Sequence, residues 1–149
     1  MVRDYKTAIS HITGVTANEC DLIANLSNIS AILKELDGFF WVGFYLVKGD
    51  ELVVGPFQGP VACSRIARGK GVCGISWEEK RAIVVENVHE FPGHIACSPD
   101  SQSEIVIPIF DENENVAMVL DVDSRKLNEF DAGDQKALEE VGEIITKLI

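Results

Sequence analysis

Cys97 lies in the stretch Gly93-His94-Ile95-Ala96-Cys97-Ser98-Pro99-Asp100-Ser101-Gln102-Ser103-Glu104. Gly93 and Pro99 interrupt regular structure there, and the Ser/Asp/Gln run is polar. From Glu104 onward the pattern turns apolar: Ile105, Val106, Ile107, Pro108, Ile109, Phe110. A thiol therefore belongs to a loop, and a carboxyl stands at the mouth of a buried strand. A thiolate is a nucleophile, so this pairing suits thiol redox chemistry better than a metal cage. The other cysteines are Cys20, Cys63 and Cys73, and no two form a Cys-x-x-Cys pair. That spacing disfavours both a zinc knuckle and a thioredoxin-type motif. His89 and His94 flank the loop, but with the cysteines they match no compact ligand pattern, so no metal is expected.

The elements that must position these groups follow from periodicity. A short helix is expected over residues 4–12, ended by Gly14. Thr16 and Glu19 fit a capping box for the next helix. That helix carries Leu22, Ile23, Leu26, Ile29, Ile32, Leu33 and Leu36 as an apolar stripe. Residues 39–47, rich in aromatic and β-branched types, predict a strand. Lys48-Gly49-Asp50 turns it back into a second arm over 51–57. Residues 61–66 predict a further short strand, 72–81 a helix and 83–88 a strand. The strand from Glu104 to Phe110 and one over 116–123 make a second hairpin. Asp131 caps a closing helix whose apolar face holds Leu138, Val141, Ile144, Ile145 and Leu148. Helices, then strands, then a helix predict one α+β domain over residues 1–149, an antiparallel sheet with helices packed on one face.

Alternation along strands sorts side chains by face. Val116, Met118, Leu120 and Val122 share the helix-packed side; Ala117, Val119, Asp121 and Asp123 share the other. Phe40, Val42, Phe44 and Leu46 oppose Trp41, Gly43 and Tyr45 in the same way. One side of the sheet thus predicts a ligand pocket. Trp41 and Tyr45 form an aromatic wall, Gly43 leaves room, and Glu104, Asp121 and Asp123 supply acids. Such a pocket suits a small ligand with a positive group and a polarisable apolar tail. Crowded acids cannot all ionise, so one can stay protonated and donate a hydrogen bond to a developing oxyanion.

Composition removes other classes. A formal net charge of -11 argues against nucleic acid and against an anionic membrane surface. The first residues lack the apolar core of a signal peptide, and no apolar run reaches the roughly 20 residues of a membrane span. A cytoplasmic, reducing compartment is expected, where four cysteines do not serve as permanent disulfides.

Six motifs together carry a resemblance. They are Trp41-Val42-Gly43-Phe44-Tyr45-Leu46, Gly55-Pro56-Phe57-Gln58-Gly59, Gly69-Lys70-Gly71-Val72-Cys73-Gly74, Gly93-His94-Ile95-Ala96-Cys97, Ser103-Glu104-Ile105-Val106 and Leu120-Asp121-Val122-Asp123-Ser124. In that order, over the chain from about Leu22 onward, they closely resemble the free methionine-(R)-sulfoxide reductases, stand-alone GAF-fold enzymes. The resemblance implies reduction of free methionine (R)-sulfoxide through a cysteine sulfenic acid and then a disulfide, with no cofactor and with thioredoxin as reductant. It assigns attack to Cys97 and resolution mainly to Cys63, with Cys73 as second candidate. It gives Glu104 and Asp123 the sulfoxide oxygen, Asp121 with Glu104 the amino group, and Trp41 with Tyr45 the methyl end. A homodimer is compatible with the resemblance. Ile75-Ser76-Trp77 and Met118 depart from the family pattern, and Cys20 belongs to no motif. The competing class is a non-catalytic GAF sensor that binds a small molecule in the same pocket.

Overall fold

The computed structural model describes residues 3–95 and 97–149; Met1, Val2 and Ala96 of the Cys97 motif lie outside the described residues. Helices α1 (Tyr5–Thr16) and α2 (Leu22–Lys34) lead into strands β1 (Trp41–Lys48), β2 (Glu51–Gln58) and β3 (Arg65–Ala67). Helix α3 (Gly71–Glu79), strand β4 (Ile83–Val85) and one 3-10 turn (Val88–Glu90) follow. Strands β5 (Ser103–Phe110) and β6 (Val116–Ser124) and helix α4 (Ala132–Thr146) complete the order. The sheet runs β3-β2-β1-β6-β5-β4 with every neighbour antiparallel. Both predicted hairpins form. They meet along β1 and β6, a long-range pairing that joins the first strand to the last.

The two faces bury two separate cores, as alternation requires. On one face Ile12 of α1, Leu26, Ile29 and Leu33 of α2, and Leu138, Val141 and Ile145 of α4 pack on Val42, Phe44, Ile105, Ile107, Leu120 and Val122. Met118 joins this core at 2 % exposure, so the departure there is absorbed by helix packing. On the other face Val72, Cys73 and Trp77 of α3 pack on Trp41, Tyr45, Val106 and Val119. The expected layer of helices on one face therefore holds for α1, α2 and α4, while α3 crosses the pocket side. Trp77 fills this second core under the Arg68 guanidinium, 5.0 Å from its ring, and Ser76 Oγ donates to the Arg81 carbonyl at 2.8 Å. Gly74 is required in α3, because a Cβ there would stand 2.5 Å from the Ala67 carbonyl.

Several local expectations are corrected. Helix α1 does not stop at Gly14 but runs to Thr16, whose hydroxyl donates to the Ile12 carbonyl at 2.8 Å. Thr16 and Glu19 form no capping box. Asp21 caps α2 by accepting from the Ala24 amide at 2.9 Å, and Glu19 accepts from the Asp21 amide. The strand expected over 61–66 contracts to β3, since the Pro60 and Cys63 carbonyls are taken by the Trp41 indole and Tyr45 hydroxyl, not by a neighbouring strand. Phe40 precedes β1 and packs on the pocket-side core, against the expected face. A register irregularity beside Phe110 likewise turns Val116 to the pocket side. The predicted Asp131 cap stands: Asp131 and Asp134 bond each other's backbone amides at 3.0 and 2.9 Å.

Asp134 and Glu129 also anchor the N-terminal segment. Arg3 pairs with Asp134 at 2.8 Å and with Glu129 at 2.9 Å, and its side chain is 9 % exposed. Its guanidinium lies 5.3 Å from the Phe39 ring and 5.6 Å from the Phe130 ring. Removing one member of such a buried set leaves uncompensated charge, a loss of about 3–5 kcal/mol. Arg3→Met is expected to lose about that much in urea unfolding. A loss below about 1 kcal/mol, the size of an exposed pair, would show that the cluster is solvated.

Candidate active site

Register sets the pocket. Trp41 of β1 pairs with Asp123 of β6, which pairs with Glu104 of β5. One step along, Gly43 pairs with Asp121, which pairs with Val106. Two acid-bearing rows thus cross the central strands on the α3 side. Trp41, Tyr45, Cys73, Cys97, Glu104, Asp121 and Asp123 line one pocket together with Ser98, Ser101 and His94. Cys63 closes its mouth in a disulfide with Cys97, Cα to Cα 5.3 Å, across 34 residues of chain. Every residue singled out from the sequence for this site is therefore brought to one place.

The aromatic wall also positions Cys63. Trp41 Nε1 donates to the Pro60 carbonyl and Tyr45 Oη to the Cys63 carbonyl, each at 3.0 Å. The two rings stack with centroids 5.9 Å apart. Burial drives the Tyr45 hydroxyl far above its ordinary range, and the nearby Asp121 charge adds to this, so it remains a donor. Gly43 does not enlarge the pocket as alternation suggested. The space of its missing side chain is filled by Phe57 and by the edge of Trp41, and these two rings stack at 5.1 Å.

The backs of the acid-bearing strands are pinned. Ser103 and Ser124, paired on the opposite face beside Glu104 and Asp123, are both buried. Ser124 Oγ donates to Glu129 Oε1 at 3.0 Å, and Ser103 Oγ donates to the Lys126 carbonyl. The Arg3–Glu129 pair therefore continues, through these serines, to the strand ends that carry the acids.

Electrostatics favour neutral acids. Burial pushes Glu104 well above the usual carboxylate range, and Asp121 and Asp123 push it further. Burial, then the charge of Asp121, does the same for Asp123. Asp121 is raised by burial but eased by hydrogen bonds from Glu104 and Cys73. It is thus the member of the trio best able to hold the negative charge. Burial also raises the Cys73 thiol, with Asp121, Glu104 and Asp123 adding to the effect. His94 Nε2 lies 3.9 Å from Glu104 Oε1, but burial and His89 lower the imidazole while Glu104 is raised. Both shifts favour the uncharged forms, which weakens any ion pairing across this contact.

Two polar wall residues escaped sequence reasoning, Ser98 and Ser101, the latter buried. Their only signal was the polar run after Cys97. His94, considered only as a metal ligand, also belongs to the wall. Cys20 is exposed, away from the pocket lining. Among the described residues no helix is long and apolar enough to cross a membrane.

A six-stranded antiparallel sheet with α1, α2 and α4 behind it and a small-molecule pocket under α3 defines a GAF-type binding domain. The GAF domain family matches residues 25–149. GAF domain-containing protein A of Dictyostelium discoideum is 51% identical over 138 residues, 92% of this chain and 87% of that protein. Free methionine-R-sulfoxide reductase of Escherichia coli (strain K12) is 42% identical over 134 residues, 89% and 81% of the two chains. The X-ray structure of free methionine-R-sulfoxide reductase from Neisseria meningitidis, in complex with its substrate, superposes with a TM-score of 0.94 at 49% identity, covering 97% of this chain and 87% of that one. The chain belongs to the GAF family and, within it, to the free methionine-R-sulfoxide reductases.

The raised acids have a stability consequence. Glu104 and Asp123 hold protons more tightly folded than unfolded. Their contribution therefore declines as pH rises from about 4, the unfolded range, through their raised native values. Asp123→Asn removes one ionisable member, so it is expected to melt higher than wild type near pH 7, by about 2–4 °C for each kcal/mol relieved. The difference should shrink toward pH 4. An Asn variant that melts lower near pH 7 would contradict the charge argument.

Proposed function

We propose that this protein reduces free L-methionine (R)-sulfoxide to L-methionine, with residues 1–149 acting as one GAF-like domain. The observation that carries it is the Cys63–Cys97 disulfide at the mouth of a pocket whose inner end holds Glu104, Asp121 and Asp123. The fit of that pocket to an amino-acid sulfoxide and the similarity to the reductases support the same reaction.

Cys97 attacks the sulfoxide sulfur as thiolate. The S–O bond breaks as oxygen passes to the cysteine, leaving a sulfenic acid and a reduced thioether. Glu104 and Asp123, kept protonated by burial, donate to the sulfoxide oxygen as negative charge develops on it. Asp121, with Glu104, receives the ammonium, and its unpartnered buried Oδ1 is an open acceptor for it. Trp41 and Tyr45 pack the methyl end. Cys63 then attacks the sulfenic sulfur, water leaves, and the disulfide forms. Cys73 is the weaker resolving candidate, since it is buried, free and held as a thiol beside the acids.

An external dithiol must reopen the disulfide by exchange, and thioredoxin in a cytoplasmic setting fits that requirement. A homodimer remains compatible with this cycle. A GAF sensor would bind in the same pocket but has no use for a cysteine pair at its mouth.

A single-turnover assay without reductant tests the reaction. The (R) epimer is expected to yield about one methionine per chain with about two thiols lost, and the (S) epimer none. Ligand binding with no methionine from either epimer would assign the protein to the sensor class.

Variants separate the roles. Cys97→Ser is expected to bind ligand yet form no methionine. Cys63→Ser is expected to complete a first oxygen transfer and then stall in recycling. Asp123→Asn is expected to lower the chemical rate about 100-fold or more. With Glu104 and Asp123 acting as acids, kcat should fall as pH rises through their raised values. A kcat that climbs across that range would remove their role as proton donors.

A further inference from the structure

The inner end of the pocket concentrates acidic groups without a fixed cation. Cys73 Sγ, a Glu104 oxygen and an Asp121 oxygen lie within 4.8 Å of one another, all on buried residues. Asp121 is 6% exposed, and its Oδ1 is enclosed without a hydrogen-bond donor. Among the described residues, the arginine ion pairs involve Arg3, Arg65 and Arg81, whose partners are Glu129, Asp134, Glu51 and Glu79, none of them a pocket acid. The nearest basic side chain is His94, 3.9 Å from Glu104. Spacing along the chain could not show this cluster. Cys73 comes from α3, Glu104 from β5 and Asp121 from β6, and only the packing of α3 across the sheet joins them.

The donor types are diagnostic. A thiolate, an imidazole nitrogen and carboxylate oxygens at about 2.0–2.3 Å are what zinc takes in four-coordinate sites. Magnesium and calcium prefer all-oxygen shells and gain little from a thiol. Bonds of that length place neighbouring ligands about 3.3–3.8 Å apart in a tetrahedron, so a closure on the order of 1 Å suffices. A metal also ionises a coordinating thiol that burial otherwise keeps protonated.

We propose that Cys73, Glu104 and Asp121 form an inhibitory site for a zinc-like divalent cation that competes with the amino-acid substrate. The competition rests on the proposed substrate pocket; the metal site itself does not require turnover. Binding exchanges protons for metal: the Cys73 proton and those of the bound carboxyls pass to solvent, and no electron moves. The cation takes the place of the ammonium and occupies Glu104, so the pocket can neither hold nor protonate a sulfoxide.

The oxidised protein isolates the site, because Cys63 and Cys97 are bonded and the free thiols are exposed Cys20 and buried Cys73. The experiment is a cadmium chloride titration of the oxidised full chain carrying Cys20→Ser, read by the ultraviolet thiolate-to-cadmium charge-transfer band. The expected result is saturation at one cadmium per chain. The band should vanish in Cys73→Ser, and the apparent Kd should rise about tenfold or more in Asp121→Asn. In the chain carrying Cys20→Ser, Cys63→Ser and Cys97→Ser, whose pocket mouth has no disulfide, free methionine should raise the apparent Kd linearly with its concentration.

Absence of a band would overturn the proposal, as would a titration unchanged in both variants. A Kd indifferent to methionine would overturn the competition. Should Cys73→Ser fail to fold, Asp121→Asn decides by the same titration. Metal-free single turnover reports the reductase reaction separately, so sulfoxide reduction without cadmium binding would remove this site alone, and cadmium binding without sulfoxide reduction would remove the reductase alone.

Discussion

Burial of like acids is the constraint on which the pocket depends. Glu104, Asp121 and Asp123 face one enclosed space beside the Cys73 thiol, with no lysine or arginine to offset them among the residues of its wall. In that setting ionisation is costly, which favours the protonated acids that the proposed reaction requires of Glu104 and Asp123. The same arrangement leaves Asp121 Oδ1 without a donor. A binding partner with a positive group therefore relieves an existing strain in solvation, and recognition and acid chemistry arise from one cause.

The sheet makes this arrangement tolerable by separating its two faces. Behind the acids, α1, α2 and α4 bury an apolar core, and the buried Ser103 and Ser124 fix the ends of β5 and β6 through half-buried hydrogen bonds. In front, α3 and the aromatic wall enclose the acids. A rigid back and a polar front allow groups that destabilise the fold to be held in position. Stability near neutral pH is then lower than the apolar cores alone would support, a familiar cost of preorganised sites.

The disulfide ties two irregular segments across this front. Cys63 follows a segment held by Trp41 and Tyr45 through its carbonyls, whereas Cys97 lies on the loop that leads into β5. One partner is fixed by the sheet and the other rides on a loop. The proposed cycle would use such a division, with Cys97 reaching the substrate and Cys63 waiting where it can be met.

Much of this was legible in residue types alone. Alternation in β1 and β6 placed Trp41, Tyr45, Asp121 and Asp123 on one face, since the two-residue strand period is a local property of the backbone. Both hairpins and the Asp131 cap were likewise local. What failed locally failed for tertiary reasons: the segment before Ile66 gave its carbonyls to distant aromatics, and Gly43 gave its space to Phe57. Local residue patterns set the strand faces and the chemical types at the site. Long-range packing alone makes β1 pair with β6, carries α3 across the pocket side, and brings Cys73 to Glu104 and Asp121. Those contacts join residues far apart in the chain, and their energy comes from shared burial that no short window of sequence contains.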